Sequence, residues 1–231
     1  QGGISGRGKH HSTGTQQFSQ SASSGTFAVS GNYHYYGDPF DLLLGGNQYA
    51  RVGTRFKQIA GGGGGGGASL STSNASSGGG GGGGVLAVAI KNLTCGTNFR
   101  ITANGGSGVD GNVGTNSSVC GAGGGGGGVL LAIIGELTAQ SSITVQVRGG
   151  DGSSGLVQGL AGSWAEAGSG GSGGVGCIMI GVDINGHGVS TSAAGGSTGT
   201  NVDNTAGTAY SPPTWQNSAG ASGTINSYIG F

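Results

Sequence analysis

Two short stretches of the sequence have the glycine spacing of a dinucleotide-binding loop. Residues 106–111 read GSGVDG and residues 150–155 read GDGSSG, so both match the pattern GxGxxG. A dinucleotide site also needs a helix directly after the loop, because the N–H groups at the helix N-terminus hold the pyrophosphate. No helical pattern follows either stretch, and a glycine-rich chain produces this spacing by chance. We therefore expect no nucleotide site and no cofactor.

Metal binding and catalysis are the other chemistries that these residues could support. Residues 105–110 resemble the front of a calcium-binding nonapeptide, but its equivalent at residue 149 has Ser154 in place of Asp110. The four histidines form no spaced ligand set with cysteines or acids. They are His10, His11, His34 and His187. The acids are scattered singly and no nucleophile motif is present, so we expect no metal and no enzymatic activity.

The cysteines and asparagines offer sites of covalent modification. Cys95, Cys120 and Cys177 are an odd number, so either one disulfide with a spare thiol or three small buried hydrophobic residues fits the sequence. Three candidate glycosylation sequons are compatible with export, although a chain rich in serine and threonine also produces them by chance. They begin at Asn74, Asn92 and Asn116.

Aromatic residues are few, and they could serve as sugar-binding or interface groups. Packing in a core or at a sheet edge is the commoner role for so small a number. The residues concerned are Tyr33, Tyr35, Tyr36, Trp164 and Trp215.

Composition excludes several classes of partner. Only 7% of the 231 residues are charged, which argues against nucleic acid, because phosphate neutralisation needs many lysines and arginines. The longest apolar runs have six residues, where a membrane-spanning helix needs about 20. We expect no membrane insertion. The chain starts with Gln1 instead of methionine, which suggests a processed product or a fragment, and removal of a secretion signal would explain it.

The charges are divided unevenly along the chain. Residues 1–100 carry seven basic and two acidic side chains, whereas residues 101–231 carry Arg148 and six acids. The two halves therefore have formal charges of +5 and −5, because seven minus two is five and one minus six is minus five. This split indicates either chance in a charge-poor chain or a head-to-tail contact between subunits.

A repeat organises the middle of the chain. Glycines at 78–84 run directly into the apolar residues 85–90, and glycines at 123–128 run into the apolar residues 129–134. The two copies match at an offset of 44 positions without a gap, and Leu93-Thr94 matches Leu137-Thr138. The chain is therefore predicted to be a repeat protein.

Each unit is predicted to be all-β. An apolar strand at 85–90, a turn near 94–97 and an alternating strand at 98–103 together predict a β-hairpin that ends in glycine. Glycine is unfavourable in the interior of helices and strands. Runs of glycine can instead form extended polyglycine-II rods that pack backbone to backbone. The alternative is a flexible linker. We predict buried structural glycines at Gly78, Gly81, Gly84, Gly123, Gly126 and Gly128.

The chain divides into three parts by composition. Residues 1–30 are predicted to be an N-terminal arm whose strand pairs either with a neighbouring subunit or within its own. Residues 31–185 form the predicted glycine-rich repeat domain. Residues 186–231 are rich in glycine, serine and threonine and are predicted to be an extended C-terminal segment laid over the repeats.

The succession of glycine run, apolar strand, Leu-Thr turn, second strand and Gly-Gly-x-Gly resembles the glycine-rich domains of bacteriophage tail-fibre adhesins over residues 53–182. That resemblance implies polyglycine-II packing and loops that contact a bacterial surface receptor or glycan. The sequence contains no counterpart of the fibre-attachment domain that those adhesins carry.

Two functions are compatible with these observations. The first is a non-enzymatic extracellular structural protein that assembles, as a homo-oligomer or homopolymer, into a surface fibre by strand addition and head-to-tail contacts. The second is the receptor-binding tip of a bacteriophage tail fibre, as the resemblance implies. Both place the protein outside the cell, either secreted or on the surface of a virion or a cell.

Overall fold

The computed structural model describes residues 2–3, 8–12, 15–19, 50–52, 55–57, 77–113, 117–159, 161–207 and 214–231. These residues contain strands and no α-helix, so the prediction of an all-β protein is confirmed for them. The strands in chain order are β1 (Gly8–Ser12), β2 (Thr15–Ser19), β3 (Ala50–Val52), β4 (Arg55–Lys57), β5 (Val85–Cys95), β6 (Arg100–Thr102), β7 (Ser117–Val119), β8 (Val129–Ala139), β9 (Ile143–Gln146), β10 (Leu156–Gln158), β11 (Ser163–Ala165), β12 (Val175–Asp183), β13 (Val189–Ser192), β14 (Val202–Asn204) and β15 (Thr224–Ile229).

The largest parallel sheet has the strand order β15-β12-β8-β5. All its pairs are in register, so Val85, Val129, Val175 and Thr224 start the four strands at one level. Runs of valine, isoleucine and leucine favour such strands, and strands buried on both faces read as continuous apolar runs. The central strand β8 is buried at nearly every residue of its first half, as that pattern predicts.

A second parallel sheet, of order β13-β9-β6, faces the first across the hydrophobic core. Its middle strand β9 alternates between buried and half-buried residues, which the alternating sequence predicts. Leu130 and Ile134 from the first sheet cluster with Ile143 and Val145 from the second, and all four are fully buried.

The predicted β-hairpin is replaced by a different arrangement. β5 and β6 do not pair with each other; β5 pairs in parallel with β8, and β6 pairs in parallel with β9. The turn between them, in which Asn98 has a φ of 61°, carries the chain from one sheet to the other. This arrangement lets both strands of each unit bury their apolar faces against each other in one core.

The first part of the chain pairs with its own subunit. β1 pairs antiparallel with β2 and with β11, within a four-stranded sheet of order β14-β11-β1-β2. The N–H of Gly3 also donates a hydrogen bond to the carbonyl of Gly124. The described portion of the N-terminal arm is therefore engaged within the chain, whereas the possible donor strand at 26–36 lies outside the described residues. Two smaller antiparallel pairs join β10 to β7 and β3 to β4.

Extended glycine segments lie side by side next to the two sheets. Within the segment 121–128, Gly121, Gly124 and Gly127 donate to the carbonyls of Glu166, Ser169 and Ser172 at 2.8–3.0 Å. Two other N–H groups, those of Gly125 and Gly128, donate to an antiparallel neighbour, at the carbonyls of Gly106 and Ala103. The hydrogen bonds to any one neighbouring segment thus recur every third residue, and residues in between bond to a different neighbour.

The predicted C-terminal segment contributes to both sheets and to the glycine array. Its strand β13 pairs with β9, and its strand β15 pairs with β12. The stretch 193–200 accepts bonds from the segment 147–155, as in Gly149 N to Ala194 O at 2.9 Å. The stack of strands and segments therefore continues past residue 185.

Candidate assembly surfaces

Four parallel segments form one row of the glycine array, and each leads into a strand of the first sheet. In spatial order they are residues 78–84, 121–128, 167–174 and 217–223. The row and its sheet have two ends among the described residues. We call residues 78–84, which precede β5, the glycine edge, and residues 217–223, which precede β15, the donor edge.

The glycine edge is buried only at every third residue. Gly80 and Gly83 are buried and donate to Gly123 and Gly126. In contrast, Gly78, Gly81 and Gly84 are exposed, and a Cβ atom on any of them would meet no atom of the described residues within 4 Å. The prediction that these three glycines are buried is wrong. Among the described residues, a neighbouring segment covers only one side of residues 78–84, and these three glycines lie on the other side.

The interior glycines behave as predicted. Gly123, Gly126 and Gly128 are all buried. A Cβ atom on Gly128 would overlap the carbonyl oxygen of Gly84, which is a main-chain atom that cannot easily move. Glycine is required there by close approach of two backbones.

The donor edge leads into an apolar edge strand. Tyr228 and Ile229 of β15 are 52% and 51% exposed, and Phe231 is 61% exposed. β15 pairs with β12 on one side, and no described strand pairs with its other side. An exposed apolar edge strand is a surface onto which another chain can add.

The opposite edge strand, β5, carries a lysine at a position where its neighbours have glycine. Lys91 is level with Gly135 of β8 and Gly181 of β12. A Cβ atom on Gly135 would lie 2.6 Å from the carbonyl oxygen of Lys91, and one on Gly181 would lie 2.6 Å from that of Gly135. Lys91 tolerates its side chain because no described strand lies on that side of β5.

The uneven division of charge along the sequence does not give the two ends of the stack opposite charges. The glycine-edge end carries Lys91 and Arg100, which are exposed, but residues 214–231 at the other end carry no charged side chain. A contact between the two ends would therefore depend on main-chain hydrogen bonds and apolar packing.

The glycine patterns that match a dinucleotide loop serve the packing of segments. Gly106 donates to Gly81 and accepts from Gly125, both at 2.8 Å, and Gly150 also donates to Gly125 at 2.8 Å. The carboxylate of Asp110 accepts the N–H of Ser154 at 2.8 Å. Asp151 likewise accepts from the N–H and the hydroxyl of Ser197, and these bonds lower the pKa of Asp151.

The residues considered for metal binding or modification do not form a common site among the described residues. The described residues contain no group of three or more histidines, cysteines and acids that could hold a metal. His187 and Asn92 are exposed; Asn74, Asn116 and His34 lie outside the described residues, and the side chains of His10 and His11 are not described.

The three cysteines lie on different elements, and no disulfide joins them in the described structure. Cys120 and Cys177 are buried, and Cys95 is partly buried. Burial raises the pKa of the Cys95 and Cys177 thiols, as it does for cysteines used as small hydrophobic residues.

Trp164 packs inside the protein. It is 2% exposed, and its ring lies edge-to-face with Trp215 at 5.7 Å between centroids. Tyr33, Tyr35 and Tyr36 lie outside the described residues. The exposed aromatic groups that sequence reasoning missed are Tyr228 and Phe231. Lys91 was also missed, although its alignment with Gly135 at an offset of 44 was a usable signal.

Comparison of the chain with protein-family models, curated proteins and solved structures gives no match. The residues described include no helix long and apolar enough to cross a membrane.

Proposed function

We propose that this protein is a non-enzymatic, extracellular structural subunit that assembles into a surface fibre by addition of copies at the two ends of its stack. The observation that carries the proposal is the shared register of the strands and glycine segments. Strands β5, β8, β12 and β15 start at one level, and the row is open at both ends among the described residues. A stack of this kind can be extended by a further copy without altering its internal geometry.

The glycine segments are proposed to be polyglycine-II rods within units of about 44 residues. A left-handed threefold helix presents equivalent groups every third residue, about 9 Å apart at a rise of about 3.1 Å per residue. The hydrogen bonds from Gly121, Gly124 and Gly127 to one neighbour have this period, which supports the assignment. Rods fixed in this way make the subunit stiff, as a fibre requires.

The edge strands supply the second support for assembly. Natural sheets usually protect their edges with charges, prolines or bulges, because open edges pair with other chains. β15 has neither charge nor proline and exposes Tyr228 and Ile229. A protein with an edge of this kind gains stability by covering it with another copy.

Purified protein tests this function directly. We expect light scattering after size-exclusion chromatography to show a mass that rises with protein concentration. Negative-stain electron microscopy should show filaments at the highest concentrations. Discrete particles at all concentrations would contradict the fibre function and would favour the receptor-binding tip. Binding of labelled monomer to bacterial cells would then be measured.

A further inference from the structure

The interior of the row follows one rule of hydrogen bonding. Each parallel segment donates to the next from two or more residues that are three positions apart. Gly80 and Gly83 donate to Gly123 and Gly126 at 3.0 and 2.8 Å. Two segments later, Gly170 and Gly173 donate to Ser218 and Ala221 at 3.0 and 2.8 Å.

The two ends of the row carry N–H groups and carbonyl groups that this rule would pair with a further segment. On the donor edge, the residues level with Gly170 and Gly173 are Ala219 and Ser222, whose N–H groups have no partner among the described residues. On the glycine edge, the residues level with Gly123 and Gly126 are Gly79 and Gly82. Their carbonyls accept no bond from any described residue, and all four residues are exposed.

A further segment would fit beside the glycine edge, as the spacing between the other segments indicates. Cβ atoms on Gly125 and Gly128 would overlap the carbonyl oxygens of Gly81 and Gly84, and the rule recurs where Gly220 and Gly223 face the carbonyls of Gly171 and Gly174. No described atom lies within 4 Å of a Cβ atom on Gly81 or Gly84, and neither residue has the positive φ that would require glycine. Contacts within the described chain do not account for glycine at either position, whereas a further segment beside them would.

We infer that copies join head to tail by docking the donor edge of one copy against the glycine edge of the next, in the register of the interior. This inference rests on the proposed function. The N–H groups of Ala219 and Ser222 donate to the carbonyls of Gly79 and Gly82 of the second copy. The carbonyls of Gly220 and Gly223 occupy the space left free by Gly81 and Gly84.

Lys91 limits how far the strands pair across this contact. A strand added beside β5 in register would place a carbonyl about as close to the Lys91 Cβ as the 2.6 Å calculated for a Cβ on Gly135. Pairing is therefore restricted to residues 85–90 of β5. β15 has six residues and ends at Ile229, which is level with Ile90, so its length fits the available edge.

Variants at the two ends test the contact separately. Gly84→Val places a side chain where the carbonyl of Gly223 docks, and Ser222→Pro removes a donor while keeping an extended backbone. Each variant alone should remain monomeric by light scattering, with the Tm of wild-type monomer. A mixture should form heterodimers and nothing larger, because the mixture retains one intact pair of ends. Gly78→Ala is the matched control that should assemble normally, since two other segments of the row, with Ala122 and Asn217, carry a side chain at this level.

Several results would overturn this contact. Filaments of unchanged length from Gly84→Val would do so while leaving the fibre function intact. So would a large fall in the Tm of that variant, because the edge would then be covered within its own chain. Failure of the wild-type protein to assemble would instead reject the proposed function itself.

Discussion

The carbonyl oxygen of Gly84 occupies the space that a Cβ atom on Gly128 would need. The relationship recurs one segment further along the row, where a Cβ atom on Gly174 would overlap the carbonyl oxygen of Gly128. Neighbouring segments therefore approach main chain to main chain. One level of the row thus contains a glycine that the fold requires and, at the edge, a glycine that it does not.

Alanine at these two positions should have opposite consequences. Gly128→Ala forces two backbones apart and should lower the free energy of unfolding by about 1–3 kcal/mol or more. The added methyl group of Gly84→Ala meets no atom of the described residues, so the substitution should leave that free energy unchanged or raise it by about 0.5 kcal/mol. Urea denaturation of monomeric protein measures both. Equal destabilisation by the two substitutions would show that the edge segment is covered like the interior ones.

Removing the side chain of Lys91 should relieve a close approach at the end of the contact between copies. Lys91→Gly restores the residue found at this level in β8 and β12, so the chain that follows Ile229 of the docked copy no longer meets a Cβ atom there. We expect assembly to start at a lower protein concentration, as measured by sedimentation. Lys91→Arg keeps a side chain at the same position and is the control. The same critical concentration for all three proteins would rule out a role for this residue.

Glu166 ties together the starts of several segments. It is 1% exposed, its Oε1 accepts the N–H groups of Gln216 and Asn217, and its carbonyl accepts from Gly121. Glu166→Ala removes the side-chain acceptor and should cost about 1–3 kcal/mol of stability. Glu166→Gln retains an oxygen at the same place and should cost less. The order of the two variants in thermal unfolding checks this prediction, and the reverse order would contradict it.

Asp151 should make stability depend on pH in the acid range. Bonds from the N–H and hydroxyl of Ser197 lower the pKa of this carboxyl in the folded state. The unfolded chain has the ordinary aspartate pKa of about 3.9 and takes up its proton first as the pH falls. The contribution of Asp151 is therefore complete above about pH 4 and is lost below it, as the pH passes through the folded pKa.

The comparison of wild type with Asp151→Asn isolates this effect. The difference in their unfolding free energies should be constant at neutral pH and should shrink as the pH falls through the acid range. A difference that stays the same from neutral to strongly acid pH would show that the carboxylate has no such role.

Much of the fold could be predicted from the offset of 44 residues. It located the apolar strands that became β5 and β8, and the alternation at 143–147 predicted the half-buried pattern of β9. The pairing of β5 with β6 was mispredicted because a short turn between two strands, here just before Asn98, usually indicates a hairpin. In-register copies instead place residues at equivalent repeat positions side by side, and each strand of a unit pairs in parallel with its counterpart in the next unit.

The edge positions could not be predicted from the repeat. Gly80 and Gly81 are the same residue within one glycine run, yet Gly80 is buried and Gly81 is exposed, because Gly80 bonds to the neighbouring segment and Gly81 lies on the open side of the row. Residues 186–231 were also hard to interpret, since β13 and β15 lack long apolar runs. Their place in the sheets depends on pairing with β9 and β12, which already have the complementary register.

Amide hydrogen exchange of the glycines in monomeric protein, resolved by NMR, tests most directly whether the glycine runs are structural segments. The N–H groups of Gly124 and Gly127 donate to Ser169 and Ser172 and should be protected about as strongly as those of β8. Those of Gly79 and Gly82 donate to no described residue and should exchange rapidly. Rapid exchange at all four glycines, as in a flexible linker, would contradict the account.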